Sequence, residues 1–300
     1  MSQNRSTLSR ARPLLGTLVE ITVRSPERSK SSEAISRAFD TIQTIQRKLS
    51  FHDRASLLSE INSHAANRPV AIDPQTVRLL KIADDLYTLT SGVFDVTIAP
   101  ELERNGFLPI HNRINSCRHG SFADVEYNGE GFIRFKRPGI RIDFGGIAKG
   151  LAVSEGVAIL RAMGINSGCV NAGGDLQAFG DESIPVQIRD PRHPGATLTT
   201  ISIRNQAVAS SAHYFADRIK PDARFGPFVD PRTRKLARSA LSVTTVVRDA
   251  IYADALTKVV MIDPIHSLPL LARLEAAALM VDMEGSTVCT PNWYAPVQAA

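Results

Sequence analysis

The sequence predicts an α+β fold built from mixed α/β layers. Apolar residues recur with helical spacing in some segments and with strand spacing in others. The two kinds of segment are interspersed without the regular βαβ period of a parallel sheet. The chain has 300 residues, 43% of them hydrophobic, which is enough to bury a full core. This length allows one large domain or two smaller ones.

The first third of the chain contains a predicted strand and the two clearest predicted helices. Imperfect alternation of apolar and polar residues predicts a strand at residues 16–24. From Ser32 to Leu49, apolar side chains recur every three or four residues, which predicts a helix with one face toward the core. Asp73 and Pro74 are a typical N-cap and first residue of a second helix, which Gly92 would end.

Later elements are predicted from apolar runs and from the positions of glycine and proline. Residues 131–143 predict two strands that meet at Pro138–Gly139, and residues 147–163 predict a helix closed by Gly164. Further strands are expected at 166–171, 185–189, 199–204 and 240–248, with a helix from about Asp249. The polar segments 112–130 and 216–238 predict mobile loops.

Composition and charge exclude several classes of protein. The formal net charge of +5 favours encounter with anionic ligands, but no stripe of Lys and Arg with interleaved aromatic residues indicates a nucleic-acid surface. Cys117, Cys169 and Cys289 are widely spaced and odd in number, which argues against a disulfide framework. No window approaches the length of a membrane span, and the N-terminus lacks the apolar stretch of an export signal. We expect no nucleic-acid partner, no membrane insertion and a cytoplasmic location.

Hydrolase and zinc chemistry lack their usual signatures. Ser210, Ser211 and His213 are close in sequence, but no GxSxG elbow and no orienting carboxylate accompany them. The seven histidines form no HExxH motif.

Residues 141–150 are the most informative segment. An apolar strand runs into Gly145 and Gly146 and then into a helix whose first turn carries Lys149. Paired glycines allow close backbone approach, a helix N-terminus offers unpaired N–H groups, and a lysine adds positive charge for phosphate. The spacing matches neither GxGxxG nor a Walker A loop. The segment therefore predicts either a phosphate site or an ordinary strand-to-helix turn.

Two more glycine turns and one charged pair could belong to the same site. The turn at 170–175 again ends an apolar strand, and the turn at 91–97 carries Phe94 and Asp95, which could meet a ring and a hydroxyl. Taken alone, Phe94 is better suited to a core position. Asp254 and Lys258 lie four residues apart on one helix face, which fits a surface ion pair. Their apolar neighbours indicate instead a buried carboxylate that needs a metal or an ammonium as partner.

Taken in order along the chain, these segments resemble the ApbE family. Residues 14–17 resemble its Met-Gly-Thr motif, with Leu15 in the methionine position. Residues 50–62 resemble its Ser-Thr-Tyr-Asp segment, with His52 at the tyrosine. Residues 92–97, 143–150, 171–175 and 253–256 follow further motifs of the family closely. Six weak motifs in one order carry the resemblance.

The resemblance implies a single domain over residues 1–300, built from two intertwined α/β subdomains with a flavin site between them. We expect residues 1–12 to form a disordered arm. The resemblance also implies FAD as substrate, Mg²⁺ as cofactor and a threonine-bearing acceptor flavoprotein as partner. FMN would pass from FAD to that threonine, and AMP would be released. The residues implied to line the flavin nucleotide are Leu15, His52, Val93, Phe94, Asp95, Asp143 and Lys149. The metal would be held by the Gly146 carbonyl and by Asp254, and Asp254 and Lys258 would act in catalysis.

Three further segments depart from the family pattern. Lys258 replaces a metal-binding threonine, with Thr257 one position early, and an ammonium cannot ligate a metal. It could stand where the metal would be. Residues 227–234 carry Pro227 and Arg234 where the family has histidine and glycine, and residues 210–212 replace a Thr-Ser-Gly turn. The predicted function is an FMN transferase. The alternative is an FAD-binding protein of the same fold without transferase activity, or a slow FAD pyrophosphatase that yields FMN and AMP.

Overall fold

An antiparallel sheet of eight strands forms the centre of the molecule. The computed structural model describes residues 6–111, 120–213 and 226–293. The strands of this sheet are β1 Ser6–Leu14, β2 Thr17–Ser25, β6 Gly168–Ala172, β7 Asp175–Phe179, β10 Ala207–Ala212, β13 Ala240–Val247, β14 Ala277–Asp282 and β15 Thr287–Cys289. They are hydrogen-bonded in that order, and every neighbouring pair is antiparallel.

One face of the sheet is covered by long helices. Alternate residues of β2 show why this face is apolar: Val19, Ile21 and Val23 are fully buried, whereas Leu18 on the opposite face is 59% exposed. Helices α1 Arg28–Leu49, α5 Ala148–Ala162 and α6 Ala250–Ile262 pack on the buried face. The other described helices are α2 Leu57–His64, α3 Pro74–Leu89, α4 Ala99–Arg104 and α7 Leu268–Arg273.

Smaller sheets complete the fold. A three-stranded sheet joins β3 Val70–Ala71, β4 Val125–Tyr127 and β5 Phe132–Phe135, with β5 in the middle. A hairpin of β8 Ile184–Arg189 and β9 Thr197–Ile203 covers part of the second face of the main sheet through Val186, Ile188 and Ile201. A short hairpin pairs β11 Val229–Asp230 with β12 Lys235–Leu236. The α+β prediction is therefore confirmed.

The predicted helix starts are confirmed by their caps. The Asp73 carboxylate accepts hydrogen bonds from the amides of Gln75 and Thr76 at the start of α3. Asp249 accepts one from the Ile251 amide at 2.7 Å at the start of α6. These bonds satisfy amides that a helix leaves unpaired at its N-terminus.

The predicted disordered arm is wrong over residues 6–12, and residues 1–5 lie outside the described part. Strand β1 pairs with β2 along its whole length. The two-residue turn between them, Leu15–Gly16, has positive φ angles of 56° and 69°, which suit a tight hairpin. Most of β1 is exposed and polar, so it has no apolar pattern, and the ladder with β2 orders it instead.

The second strand expected within 131–143 is also absent, although β5 occupies the first part. The amide of Ile142 donates to the Asn62 side chain of α2 and the amide of Asp143 donates to the Val96 carbonyl, so these amides do not pair with a neighbouring strand. The predicted loops contain β4, β11 and β12, and their residues 112–119 and 216–225 lie outside the described part.

The remaining global predictions concern membranes and cysteines. Among the described helices, none has both the length and the apolar character needed to cross a membrane. Cys169 and Cys289 carry free thiols, and Cys117 lies outside the described residues.

Candidate functional site

Four charged side chains meet where helices α5 and α6 pack together. Lys149 lies in the first turn of α5, Asp175 is the first residue of β7, and Asp254 and Lys258 lie one turn apart on α6. The Lys149 ammonium donates to the Asp175 carboxylate at 2.5 Å. The Lys258 ammonium donates to the Asp254 carboxylate and, at 3.1 Å, to the Asp254 backbone carbonyl. We call these four residues the charged quartet.

Gly150 fixes the distance between the two helices of the quartet. Its amide donates to the Asp254 carboxylate at 3.0 Å. A Cβ atom at this position would overlap the Ala250 carbonyl and would come within 2.7 Å of the Ile251 Cα atom. Only glycine allows α5 and α6 to approach so closely, and this approach brings Lys149 and Asp254 into one site.

Three members of the quartet, Asp175, Asp254 and Lys258, are largely removed from solvent. The Asp254 side chain is 0% exposed and that of Lys258 is 17% exposed. Burial alone disfavours a carboxylate, but the ammonium groups of Lys258 and Lys149 and the Gly150 amide hold the pKa of Asp254 below its ordinary value. Burial and the negative charge of Asp254 raise the pKa of Asp175, although Lys149 opposes them. The quartet thus keeps Asp254 ionised.

A narrow cleft opens beside the quartet. Val93, Phe94, Asp95 and Asp143 line it on one side. Gly146 and Lys258 line it as well, together with residues of the β11 region such as Phe228. The structure therefore brings together in one cleft six of the residues that the sequence singles out. We call Val93, Phe94, Asp95 and Asp143 the Phe94 wall.

The carboxylate of Asp95 is already bonded within the protein. One oxygen accepts from the amide and the hydroxyl of Thr97, at 2.8 and 2.7 Å, and the other accepts from the Phe122 amide at 3.2 Å. Burial raises the pKa of Asp95 despite these bonds. Asp95 thus shapes the loop that carries Phe94, and its contact with a flavin hydroxyl stays a prediction.

Asp143 has a different environment. The side chain is half-buried, and burial raises its pKa to about 6, with one backbone hydrogen bond from Gly145 acting in the opposite direction. Within the described ranges, no ion pair is formed by this carboxylate. Asp143 therefore changes its charge in a pH range where Asp254 stays ionised.

Leu15 and His52 lie outside the cleft that Lys258 lines. Leu15 occupies the β1–β2 turn, where its amide donates to the Gln46 side chain at 2.7 Å. His52 is exposed, and its neighbour Phe51 lines a separate cavity with His111. Their contacts with a flavin nucleotide stay predictions from the resemblance.

The two predicted metal ligands do not leave room for Mg²⁺ as the side chains are arranged. The Lys258 stem lies 3.7 Å from the position of a Cβ atom on Gly146, and its ammonium contacts Asp254. Mg²⁺ needs oxygen ligands at about 2.0–2.1 Å in an octahedral arrangement, and an ammonium provides no lone pair. In the described ranges, no three His, Cys, Asp or Glu side chains are grouped to hold a metal. The Mg²⁺ cofactor stays a prediction that this geometry does not favour.

Thr257 cannot take over from the missing threonine in this arrangement. Its hydroxyl donates to the Asp254 backbone carbonyl at 2.7 Å and shares a hydrogen bond of 2.7 Å with the Ser211 hydroxyl. The side chain is fully buried between α6 and β10. Ser211, one of the residues of the altered turn, therefore helps to hold Thr257 away from the cleft.

Arg234 keeps the backbone shape that glycine would have. Its φ angle is 62°, in the left-handed region that favours glycine. Its guanidinium contacts Glu101 at 3.3 Å and donates to the Gly120 carbonyl at 2.5 Å. These contacts hold a strained backbone that connects β11 to β12.

Asp175 and Gly150 were not assigned roles from the sequence. Asp175 ends the glycine turn at 170–175, but nothing in the spacing indicates that it meets Lys149, which lies 26 residues earlier. The apolar residues around Asp254 were the available signal that the site needs buried counter-charges.

The fold and the site define an α+β protein in which two lysines and two aspartates form a charged cluster beside a cleft. The model of the ApbE family matches residues 15–280. The chain belongs to the ApbE family.

Several relatives and solved structures are similar to this chain. An FAD:protein FMN transferase of Rhodobacter capsulatus is 27% identical over 95% of this chain, and the chain spans 57% of the length of that relative. One of Vibrio cholerae is 26% identical, with 83% of this chain and 79% of the relative covered. The crystal structure of the ApbE protein of Thermotoga maritima has a TM-score of 0.85 and 28% identity, with 95% of this chain and 97% of the other covered.

Proposed function

We propose that this protein transfers FMN from FAD to a threonine hydroxyl of an acceptor flavoprotein and releases AMP. The observation that carries the proposal is the match of the family over residues 15–280, together with relatives named FAD:protein FMN transferase. The site supports it, because Phe94, Asp143 and Lys258 line the cleft and a second lysine, Lys149, lies in the first turn of α5.

The proposed reaction exchanges one phosphorus–oxygen bond for another. The threonine oxygen attacks the phosphorus of the FMN half of FAD and forms a phosphodiester. The bond from that phosphorus to the bridging oxygen breaks, AMP leaves with this oxygen, and the hydroxyl proton passes to solvent. Such transfers are accelerated mainly by positioning and by neutralising the phosphate charge.

Residues of the cleft and of the charged quartet have proposed parts in binding. Lys149 contacts the pyrophosphate, since 36% of its side chain is exposed although Asp175 holds one side of the ammonium. Phe94 packs against a ring of the nucleotide, and Asp143 accepts a hydrogen bond from it. Asp254 holds Lys258, and Asp175 holds Lys149. This arrangement holds FAD with its pyrophosphate at the start of α5.

The test is to incubate the protein with FAD, with and without a threonine-containing acceptor domain, and to measure AMP and covalently bound flavin. We expect AMP and flavinylated acceptor in equal amounts. Asp254→Ala should abolish both products, and Glu284→Ala, at an exposed carboxylate outside the cleft, should change neither. Acceptor in which the threonine is replaced by alanine should stay unlabelled.

One observation favours a second function. The Asp254 carboxylate is fully engaged by Lys258 and Gly150, which suits a site that binds FAD without carrying out transfer. An FAD-binding protein would retain FAD tightly and form no AMP. A slow FAD pyrophosphatase would form AMP and FMN with no flavinylated acceptor. The same experiment separates these functions from the transferase.

A further inference from the structure

We propose that the Lys258 ammonium takes the place of a divalent cation in this protein, so that FAD is bound and positioned without Mg²⁺. This inference rests on the proposed function and specifies how the site neutralises the pyrophosphate. It concerns the replacement of a bound ion by a covalently fixed charge.

Lys258 lies close to both predicted metal ligands. The Lys258 ammonium contacts the carboxylate of Asp254, one of the two predicted metal ligands, and the Lys258 stem passes beside Gly146, the other. The lysine folds back along α6 to its i−4 neighbour, where it meets both the carboxylate and the backbone carbonyl of Asp254. Its ammonium group therefore lies at the carboxylate that a cation at this site would use.

The oxygens of Asp254 already accept hydrogen bonds from the protein. One carboxylate oxygen accepts from the Gly150 amide at 3.0 Å, and the other is held by Lys258. Its backbone carbonyl accepts from the Thr257 hydroxyl as well. To bind a metal ion, Asp254 would have to release the Lys258 ammonium. The ammonium and the metal ion would then be two positive charges close together in a buried site, which is unfavourable.

Lys258 is partly exposed to the cleft. The side chain is 17% exposed and lines the cleft together with Phe94 and Asp143. An ammonium has three donors, so Lys258 can hold Asp254 and still offer a hydrogen to a phosphate oxygen. Lys149 and Lys258 then face the pyrophosphate as two point charges.

The test measures the affinity for FAD by the quenching of flavin fluorescence, in chelator and in Mg²⁺. We expect the same affinity in both, within about twofold, for the unchanged protein. For Lys258→Thr, which restores a hydroxyl ligand, we expect binding that is about tenfold weaker in chelator and is recovered in Mg²⁺. Lys258→Met, which keeps the length of the stem, should bind weakly in both conditions.

A second measurement detects metal binding directly and requires no reaction of FAD. Electron paramagnetic resonance of added Mn²⁺ should show free ion with the unchanged protein and FAD, and bound ion with Lys258→Thr and FAD. Bound Mn²⁺ in the unchanged protein, or an affinity for FAD that Mg²⁺ raises tenfold or more, would overturn the proposal and leave the transferase intact. Unaltered affinity in Lys258→Met would also overturn it.

Loss of FAD binding in every condition has a different meaning. In that case both this inference and the proposed function fail, because the unchanged protein would not recognise the nucleotide. Circular dichroism of the two Lys258 variants checks that they are folded. The comparison in chelator uses the unchanged protein, so it decides the question even where a variant is unstable.

Discussion

The charged quartet and the Phe94 wall hold carboxylates in opposite ways. Asp254, in the charged quartet, is fully buried and has a lowered pKa, because two ammonium groups and one amide surround it. Asp143, in the Phe94 wall, is half-buried and has a pKa of about 6, because burial is opposed by a single backbone hydrogen bond. Burial alone therefore does not decide whether a carboxylate is charged. The counter-charges that lie close to it decide this.

The largest expected effect comes from removing one member of the quartet. Asp254→Ala should lower the free energy of unfolding by about 3–5 kcal/mol, because Lys258 would stay buried beside Lys149 without its partner. Urea denaturation measures this change. The double variant Asp254→Ala with Lys258→Met should recover part of the loss, since both charges are then gone. Equal stability of the single and double variants would show that the pair is not coupled.

The next effect tests the helix contact that holds the quartet. Gly150→Ala should lower the free energy of unfolding by about 1–3 kcal/mol, because the new Cβ atom overlaps the backbone of α6. FAD affinity should fall with it, as Asp254 moves away from the Gly150 amide. The matched control is Gly129→Ala, where a Cβ atom would meet nothing within 4 Å. Equal melting temperatures of the two variants would contradict the close packing of α5 and α6.

A smaller effect should appear at Asp143 and depend on pH. Its pKa is raised from 3.8 to about 6, so at pH 8 the folded protein carries a desolvated charge that destabilises it. Asp143→Asn should therefore raise the free energy of unfolding by about 1 kcal/mol at pH 8. This gain should shrink as pH falls through 6, where Asp143 in the unchanged protein becomes neutral. Urea titrations at pH 8 and pH 5 measure the difference, and a gain that is equal at both would contradict the raised pKa.

The smallest effect sets the scale for an exposed ion pair. Arg248 and Glu275 lie 3.1 Å apart with side chains that are 84% and 75% exposed. Arg248→Gln should change the free energy of unfolding by less than about 0.5 kcal/mol, since solvent and salt screen such a pair. A loss similar to that of Asp254→Ala would remove the distinction between buried and exposed pairs on which the comparison depends.

Helices α1, α3, α5 and α6 were predictable because local chemistry sets their limits. Asp73 and Asp249 cap their helices, and the apolar stripe of α1 lies against the sheet as its spacing predicts. Strands β1 and β10 were not predictable in this way. Strand β1 is mostly exposed, and β10 consists of small residues that suit many conformations, so only pairing with neighbouring strands defines them.

The site was predictable where its residues share one segment or one helix. Asp254 and Lys258 meet because they are one helical turn apart, and the glycines before Lys149 mark the start of α5. The partnership of Lys149 with Asp175 depends on how α5 packs on β7, and this is a long-range property of the fold. The same is true of Gly150, whose role appears only when α6 lies against it.

The charges of the quartet sum to zero, and this determines how far its electric field extends. Two lysines and two aspartates in mutual contact form a multipole, whose field weakens with distance much faster than that of a single charge. A dianionic nucleotide in solution is therefore steered by the net charge of +5 of the whole chain. Once the nucleotide has reached the site, the orientation of the two ammonium groups determines how it is held. The association rate of the nucleotide should depend on salt concentration, because charges on the protein surface steer the nucleotide. The dissociation rate should depend on the contacts made by the quartet.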